Sequence, residues 1–178
     1  MPYSLDTARI LAEPLVASFF RTCEGDWRSK RRYYTLNNGD VQEVISYITI
    51  RFLESGSDEL HQLHAMHELP SSHSLVCGAQ VTWESNYPQT NKKPVNGSTI
   101  FGIKGSTLYR DRGFATSKPV TADFTFRDAR TMVLKTAYSG SSFEEEIKLI
   151  GDRTRTRQTI ISRAGEEIMI GQYLEQRI

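Results

Sequence analysis

Apolar side chains near the start of the chain return at helical intervals. Ile10, Leu11, Leu15, Phe19 and Phe20 fall close to one face of a 3.6-residue period. The spacing predicts a helical segment over 4–24, capped by Ser4 or Asp6 and ended by Gly25. Pro14 removes a backbone donor inside it, so a split into two short helices is expected. From residue 26 on, the period drops to two. Residues 27–36 and 41–53 read as strands around the turn Asn37-Asn38-Gly39-Asp40, and 57–69 reads as a short surface helix capped by Ser57 or Asp58. Strands follow at 75–85, 98–104, 106–111, 120–126, 131–138, 142–150, 154–162 and 166–177. The alternation is cleanest at 120–126, where Val120, Ala122, Phe124 and Phe126 interleave with Thr121, Asp123 and Thr125.

About ten strands joined mostly by tight turns make a meander, and a meander escapes its exposed edges by closing on itself. The fold class expected is therefore mostly β, an antiparallel barrel behind an N-terminal helix; a two-sheet sandwich is the rival. A length of 178 residues fits one domain spanning 1–178, with the barrel over 26–178. No internal repeat or low-complexity segment interrupts it.

Charge and cysteine content narrow the function classes. Lys plus Arg (22) nearly cancels Asp plus Glu (21), so no electrostatic case exists for nucleic acid or an anionic membrane. The N-terminus lacks a basic leader and its apolar stretch is broken by Glu13 and Pro14, so it does not read as a signal peptide. No apolar run approaches bilayer length. A cytoplasmic setting is expected. Cys23 and Cys77 sit in no ligand or redox spacing and read as reduced, buried thiols rather than nucleophiles.

A small barrel holds ligands inside, so polar residues on apolar faces are the candidates. Glu145 shares its strand face with Phe143, Ile147 and Leu149; it either meets a ligand or reaches the rim. Arg155 and Arg157 share a face on the next strand. A three-residue loop Arg163-Ala164-Gly165 would set Arg155 opposite Tyr173 and Arg157 opposite Gly171, with Glu175 on the same face. Guanidiniums pair with carboxylates through two parallel hydrogen bonds, so a ligand with carboxylate tails suits the patch. The competing possibility is a solvated outer face of weak ion pairs. A two-residue turn at Gly151-Asp152 would put Glu145 on the face opposite the arginines; a three-residue turn would reunite them. Trp83 shares a face with Leu75, Cys77, Ala79 and Val81, as core or as a wall for a planar ligand.

Other features read as structural. Gly25-Asp26-Trp27 is a GxW at the start of the first strand; in lipocalin-like barrels this Trp plugs the closed end, and Arg177 could stack on it. His61, His64 and His67 recur every third residue and wander around their helix, which does not suit a metal. The run Arg28-Ser29-Lys30-Arg31-Arg32 would split its charges between two strand faces and reads mainly as a rim, open to a protein partner.

Four blocks together, WRSKRRYYTL (27–36), LVCGAQVTWES (75–85), TLYRDRGFATSKPVTADFTF (107–126) and RTRQTIISRAGEEIMIGQYLEQRI (155–178), resemble the S-type phycobiliprotein lyases, the CpcS/CpeS family of cyanobacteria and related plastids. The likeness runs from about residue 15 to the C-terminus. It implies a ten-stranded calyx of the lipocalin or fatty-acid-binding kind with an N-terminal helix. It implies a lyase that binds a linear tetrapyrrole, phycocyanobilin or phycoerythrobilin, as transferred substrate, with no tightly bound cofactor and no metal. The product is a thioether between the ethylidene carbon of ring A and a cysteine of an apo-phycobiliprotein subunit of phycocyanin, allophycocyanin or phycoerythrin. The family's arginine pair falls on Arg155 and Arg157, for the propionates. Its acidic residues fall on Glu145 and Glu175, for the pyrrole nitrogens and as catalytic groups; Trp83 and Tyr173 complete the bilin site. The setting implied is the cyanobacterial cytosol or a plastid stroma, as a homodimer or with a paralogous subunit. The alternatives are a noncovalent carrier of a carboxylate-bearing small molecule and a non-catalytic subunit of a lyase complex.

Overall fold

A computed structural model describes residues 5–178. Ser4 and the side chain of Asp6, the two proposed caps, lie outside what it describes. The elements are α1 (Leu5–Cys23), β1 (Gly25–Thr35), β2 (Val41–Glu54), α2 (Asp58–Met66), β3 (Cys77–Asn86), β4 (Val95–Lys104), β5 (Thr107–Arg110), β6 (Val120–Asp128), β7 (Thr131–Tyr138), β8 (Ser141–Ile150), β9 (Thr154–Arg163) and β10 (Glu166–Arg177). The ten strands close into an antiparallel barrel in which each pairs with its chain neighbour and β1 pairs with β10. No helix among the described residues is long and apolar enough to cross a membrane.

The residues fall into two compact units. One takes residues up to Glu24, Ile50–Val81 and Ser98–Thr125; the other takes Gly25–Thr49, Thr82–Gly97 and Phe126–Ile178. The first holds both helices. Val16, Phe19, Phe20 and Cys23 of α1 are buried, as are Ile50, Phe52, Cys77, Ala79, Ile103, Leu108, Ala122 and Phe124 of its strands. Each large side chain removed from water here contributes roughly 1.5–3 kcal/mol. Glu13 accepts from the Gly105 amide at 2.9 Å and Glu24 from the Phe52 amide at 2.7 Å, which ties α1 at both ends of its second half. Leu60 and Leu63 of α2 pack with Leu53 and Leu75. Gly102 makes this seat possible, since a Cβ there would come within 2.8 Å of Leu63 and 2.7 Å of Leu75.

Three expectations from the sequence need correction. Pro14 does not split α1, which runs unbroken over 19 residues. The proline costs one backbone bond, and Ile10 and Leu11 beside it are exposed, so water can take up the stranded carbonyl while the buried second half holds the helix. Ser57 occupies the cap position of α2, but its hydroxyl makes no capping bond. The β9–β10 hairpin has a two-residue turn, with Arg163 paired to Glu166. Ala164 (φ 51°) and Gly165 (φ 83°) are both left-handed, as a type I′ turn requires. A bulge then falls between Glu167 and Met169, where the Ile168 carbonyl accepts from the Leu36 amide at 3.0 Å. Turn and bulge together shift the partners by two residues: Arg155 faces Glu175, and Arg157 faces Tyr173. A shift of two preserves the strand face, so the same side chains still gather with different neighbours.

Candidate functional site

The second unit buries polar and charged side chains among its apolar ones. Strand alternation decides which residues point inward. On β10, Gly171, Tyr173 and Glu175 are buried while Gln172, Leu174 and Gln176 are exposed. Pairing then places inward residues in rows that cross β1, β10, β9 and β8. Ser29, Glu175, Arg155 and Leu149 form one row; Arg31, Tyr173, Arg157 and Ile147 the next; Tyr33, Gly171, Thr159 and Glu145 the third. Glu145 belongs to this set because the β8–β9 connection is a three-residue loop, with Ile150 paired to Thr154. Gly171 leaves room for the phenol: a Cβ there would meet the Tyr173 hydroxyl at 2.7 Å.

Charges in these rows are matched at short range. Arg155 Nε donates to Glu175 Oε1 at 2.8 Å, and Arg157 Nη2 to Glu145 Oε2 at 3.0 Å. Arg157 Nε also lies 3.9 Å from Glu175 Oε1. Glu175 is fully buried and Arg155 is 4% exposed. The aromatic residues back the cations. Arg155 and Arg177 lie 4.9 and 4.3 Å from the Trp27 ring, and Arg157 and Arg31 lie 5.0 and 5.2 Å from the Tyr173 ring. Tyr33 meets Tyr173 edge-on at 5.7 Å. Trp27 is thus where the GxW reading put it, 1% exposed with Arg177 stacked on it.

Ionisation follows from these neighbours. Burial works against the charged form of Glu175, but Arg155, Arg157 and Arg31, with a hydrogen bond from Ser29, outweigh it and hold the carboxyl below its ordinary range. Burial likewise works against the Arg157 cation, and Glu175 and Glu145 more than compensate. The Tyr173 phenol is pushed up, chiefly by burial, so it stays protonated and can donate. Three buried atoms of these rows find no hydrogen-bond partner, the Arg157 Nε donor, the Thr159 hydroxyl and the Glu175 Oε2 acceptor. Unpaired buried polar atoms are costly, and a ligand that pairs them recovers that cost. Water does reach this interior: Arg31, Tyr33, Ile147, Arg157 and Ile161 face inward yet remain half-buried.

Trp83 is half-buried on β3, its indole against Gly97. A recess of about 690 Å³ is lined in runs of three, Lys30–Arg31–Arg32, Thr156–Arg157–Gln158 and Gln172–Tyr173–Leu174. The outer members of each run point away from the interior, so this recess lies on the outer surface of the sheet, behind the cluster. Cys23 and Cys77 are buried in the first unit. Burial pushes the Cys77 thiol up to about 12, which removes its thiolate at neutral pH. His64 and His67 bond to the carbonyls of Pro70 and Arg110, and no group of metal-ligating side chains is present among the described residues.

Residue-by-residue reasoning passed over Trp27, Ser29, Arg31 and Tyr33 as parts of the cluster. The available signal was parity: taken as an interior plug, Trp27 makes Ser29, Arg31 and Tyr33 interior as well.

Against this geometry, comparison with known proteins is decisive. The model of the family described as CpeS-like protein matches residues 16–178. The chain belongs to the CpeS-like family. The CpeS-like match begins at Val16, the first buried residue of α1 among those described, and takes in β1 to β10 and the whole cluster. Over 170 residues the chain is 56% identical to "Putative phycocyanobilin lyase CpcS 2" of Nostoc sp., covering 96% of this chain and 94% of the relative. It is 51% identical to "Putative chromophore lyase CpcV" of Picosynechococcus sp., covering 90% and 80%. The solved structure of the S-type phycobiliprotein lyase CpeS from Guillardia theta superposes with a TM-score of 0.77 at 22% identity, covering 92% of each chain, so the two share the fold.

Proposed function

We propose that this CpeS-like protein is a chromophore lyase. It binds a linear tetrapyrrole and promotes thioether attachment to a cysteine of an apo-phycobiliprotein subunit. The observation that carries the reading is the buried guanidinium–carboxylate–phenol cluster of the second unit, with a guanidinium donor, a hydroxyl and a carboxylate acceptor left unpaired. A bilin offers what such a cluster lacks: propionates for guanidiniums, and pyrrole N–H groups for carboxylates.

The residues divide the work. Arg157 takes a propionate, and Tyr173, protonated, donates beside it. Glu145 and Glu175 face the pyrrole nitrogens; Glu175, held charged, stabilises a protonated and more electrophilic bilin and is no proton donor at neutral pH. Arg155, closed by Glu175 and Trp27, fixes that carboxylate in place. Trp83 is a wall for a pyrrole ring. The nucleophile is the acceptor's thiolate. Its sulfur bonds to the ring A ethylidene carbon, one proton ends on the tetrapyrrole, and nothing leaves. The lyase contributes orientation and the choice of face. Phycocyanobilin is the first bilin to try, with phycoerythrobilin second; phycocyanin, allophycocyanin and phycoerythrin subunits are the acceptors. A fatty-carboxylate carrier built on Arg155 and Tyr173 loses its basis, because Arg155 faces Glu175 instead.

Mixing the protein with phycocyanobilin and an apo-phycocyanin subunit tests the reading. A chromophore that stays on the acceptor through denaturation, with a single absorption product, is the expected result. Products identical in amount and spectrum to those formed without the protein would refute it.

A further inference from the structure

The basic run of β1 divides between the two sides of the sheet. Trp27, Ser29 and Arg31 point inward, so Arg28, Lys30 and Arg32 point out. Arg32 is tied to Glu43 at 3.1 Å. Asp26, the acid at the start of the same outer side, accepts from the Thr49 hydroxyl at 2.6 Å. Among the described residues, Arg28 and Lys30 have no carboxylate within ion-pair distance. The bilin cluster uses neither of them.

The next two strands carry no outward charge along the same span. On β10 the outward positions are Gln176, Leu174, Gln172 and Ile170; on β9 they are Thr154, Thr156, Gln158 and Ile160. Charges gather at the margins instead. Lys148 of β8, exposed and within electrostatic reach of Asp128, ends the row Lys30, Leu174, Thr156. The acids of β8 are answered close by: Glu146 pairs with Arg127, and Glu144 stands opposite Lys135. The recess of about 690 Å³ lies on this outer side, with Lys30 and Arg32 at one margin and Thr156, Gln158, Gln172 and Leu174 as its floor. Leu174 is 45% exposed, a large apolar side chain at the neutral centre. A centre without charges and a charged margin is the build of a protein interface, because a charge dried out at the centre costs more than it returns.

Resting on the lyase reading above, we propose that the outer face of β1, β10 and β9 docks the acceptor subunit, through a carboxylate-bearing surface of that protein. Arg28 and Lys30 steer an acidic partner onto the face, and the Gln, Thr and Leu positions take the contact. From β1 to β8 and from Arg28 to Tyr34 the face measures about 14 by 20 Å between backbones. That is small against the roughly 800 Å² per partner of a stable complex. A contact of this size lets a modified acceptor leave, and it does not hold a permanent second copy of this chain. The same strands carry the bilin cluster on their inner side. Their ends at Tyr34 and Ile170 lie away from the Trp27 plug, so an acceptor seated along β1 can present its cysteine there.

The test follows chromophore transfer from saturating phycocyanobilin to an apo-phycocyanin subunit over a range of acceptor concentrations. In Arg28→Glu with Lys30→Glu, kcat/KM for the acceptor falls about tenfold or more, while kcat and the phycocyanobilin affinity read by absorption titration keep their wild-type values. Raising salt from about 50 to about 500 mM lowers kcat/KM in wild type and changes it little in the variant. Leu174→Asp, which sets a carboxylate in the neutral centre, brings a loss of similar size. Arg28→Gln with Lys30→Gln repeats the measurement should the reversed pair fold poorly; retained bilin affinity certifies the fold in each case. A wild-type kcat/KM in a variant that still binds the bilin overturns the docking face while the lyase reading stands. Sedimentation of wild type as a dimer and of the variant as a monomer also overturns it, giving the face to a second copy. Transfer by wild type no faster than without the protein overturns both.

Discussion

The two compact units of the protein put inward strand positions to opposite uses. In the first, inward positions carry Ile50, Phe52, Ile103, Leu108 and Phe124, and α1 adds Phe19 and Phe20. In the second, the equivalent positions carry Ser29, Arg155, Thr159, Glu145 and Glu175. The apolar unit is stable because its surface leaves water, with no geometry to satisfy. The polar unit must satisfy each charge by position, and it does so incompletely, leaving Arg157 Nε, Thr159 Oγ1 and Glu175 Oε2 without a hydrogen bond. One region stores folding free energy; the other gives some of it up for a surface that a charged ligand completes.

The sharpest way to break this division is to attack each region by its own logic. Phe19→Ala removes a buried ring and costs about 3–5 kcal/mol in urea unfolding, with bilin affinity per folded molecule unchanged. Arg155→Met leaves Glu175 buried without its nearest partner and costs about 3–5 kcal/mol as well. Here the double variant Arg155→Met with Glu175→Leu tells the regions apart: it recovers most of the loss, which no second change does for Phe19→Ala. Were the double variant as unstable as Arg155→Met alone, the charges would not be what destabilises the single one.

The acid limb of stability follows from the same pair. Because the folded Glu175 carboxyl titrates below its unfolded counterpart, its contribution is complete above about pH 4.5 and is lost as pH falls through the folded value. Urea midpoints measured between pH 7 and pH 3 should fall in wild type, and fall less in the double variant. Next in size is chemistry: Glu145→Gln slows chromophore transfer about tenfold to 100-fold while the protein stays folded, read as the rate of acceptor absorption. An unchanged rate would leave Glu145 merely a partner for Arg157. The smallest effect is none: Cys23→Ala with Cys77→Ala keeps the transfer rate, and a dead double variant would put the nucleophile in this chain.

Much of the fold was legible because strand alternation is strong wherever one face is dry. The runs at 120–126 and 131–138 reappear as β6 and β7 nearly unchanged. Register was less so. It depends on whether a turn takes two residues or three, and on one bulge at Ile168, and each is decided by backbone bonds made to distant residues such as Leu36. Arg155, Arg157, Tyr173 and Glu175 still share one face because the error was even: a two-residue slip changes partners and keeps faces. Arg31 was obscured for another reason. The basic run reads as a rim, and parity with Trp27, borne out by the pairing of β1 with β10, separates Arg31 from Arg28, Lys30 and Arg32. In α1, local propensity misled, since Pro14 weighs heavily in a bare helix and little in one anchored by buried Val16, Phe19 and Phe20.

One titration bears on the division between the units most directly: phycocyanobilin affinity for wild type, Arg157→Gln and Leu63→Ala, at a urea-free pH 7. Leu63 is 0% exposed in the first unit and Arg157 stands in the polar rows of the second. Leu63→Ala should be the less stable protein and bind the bilin as wild type does, while Arg157→Gln should bind at least tenfold more weakly. Equal binding by wild type and Arg157→Gln, with affinity lost in Leu63→Ala, would move the ligand out of the charged rows and contradict the division.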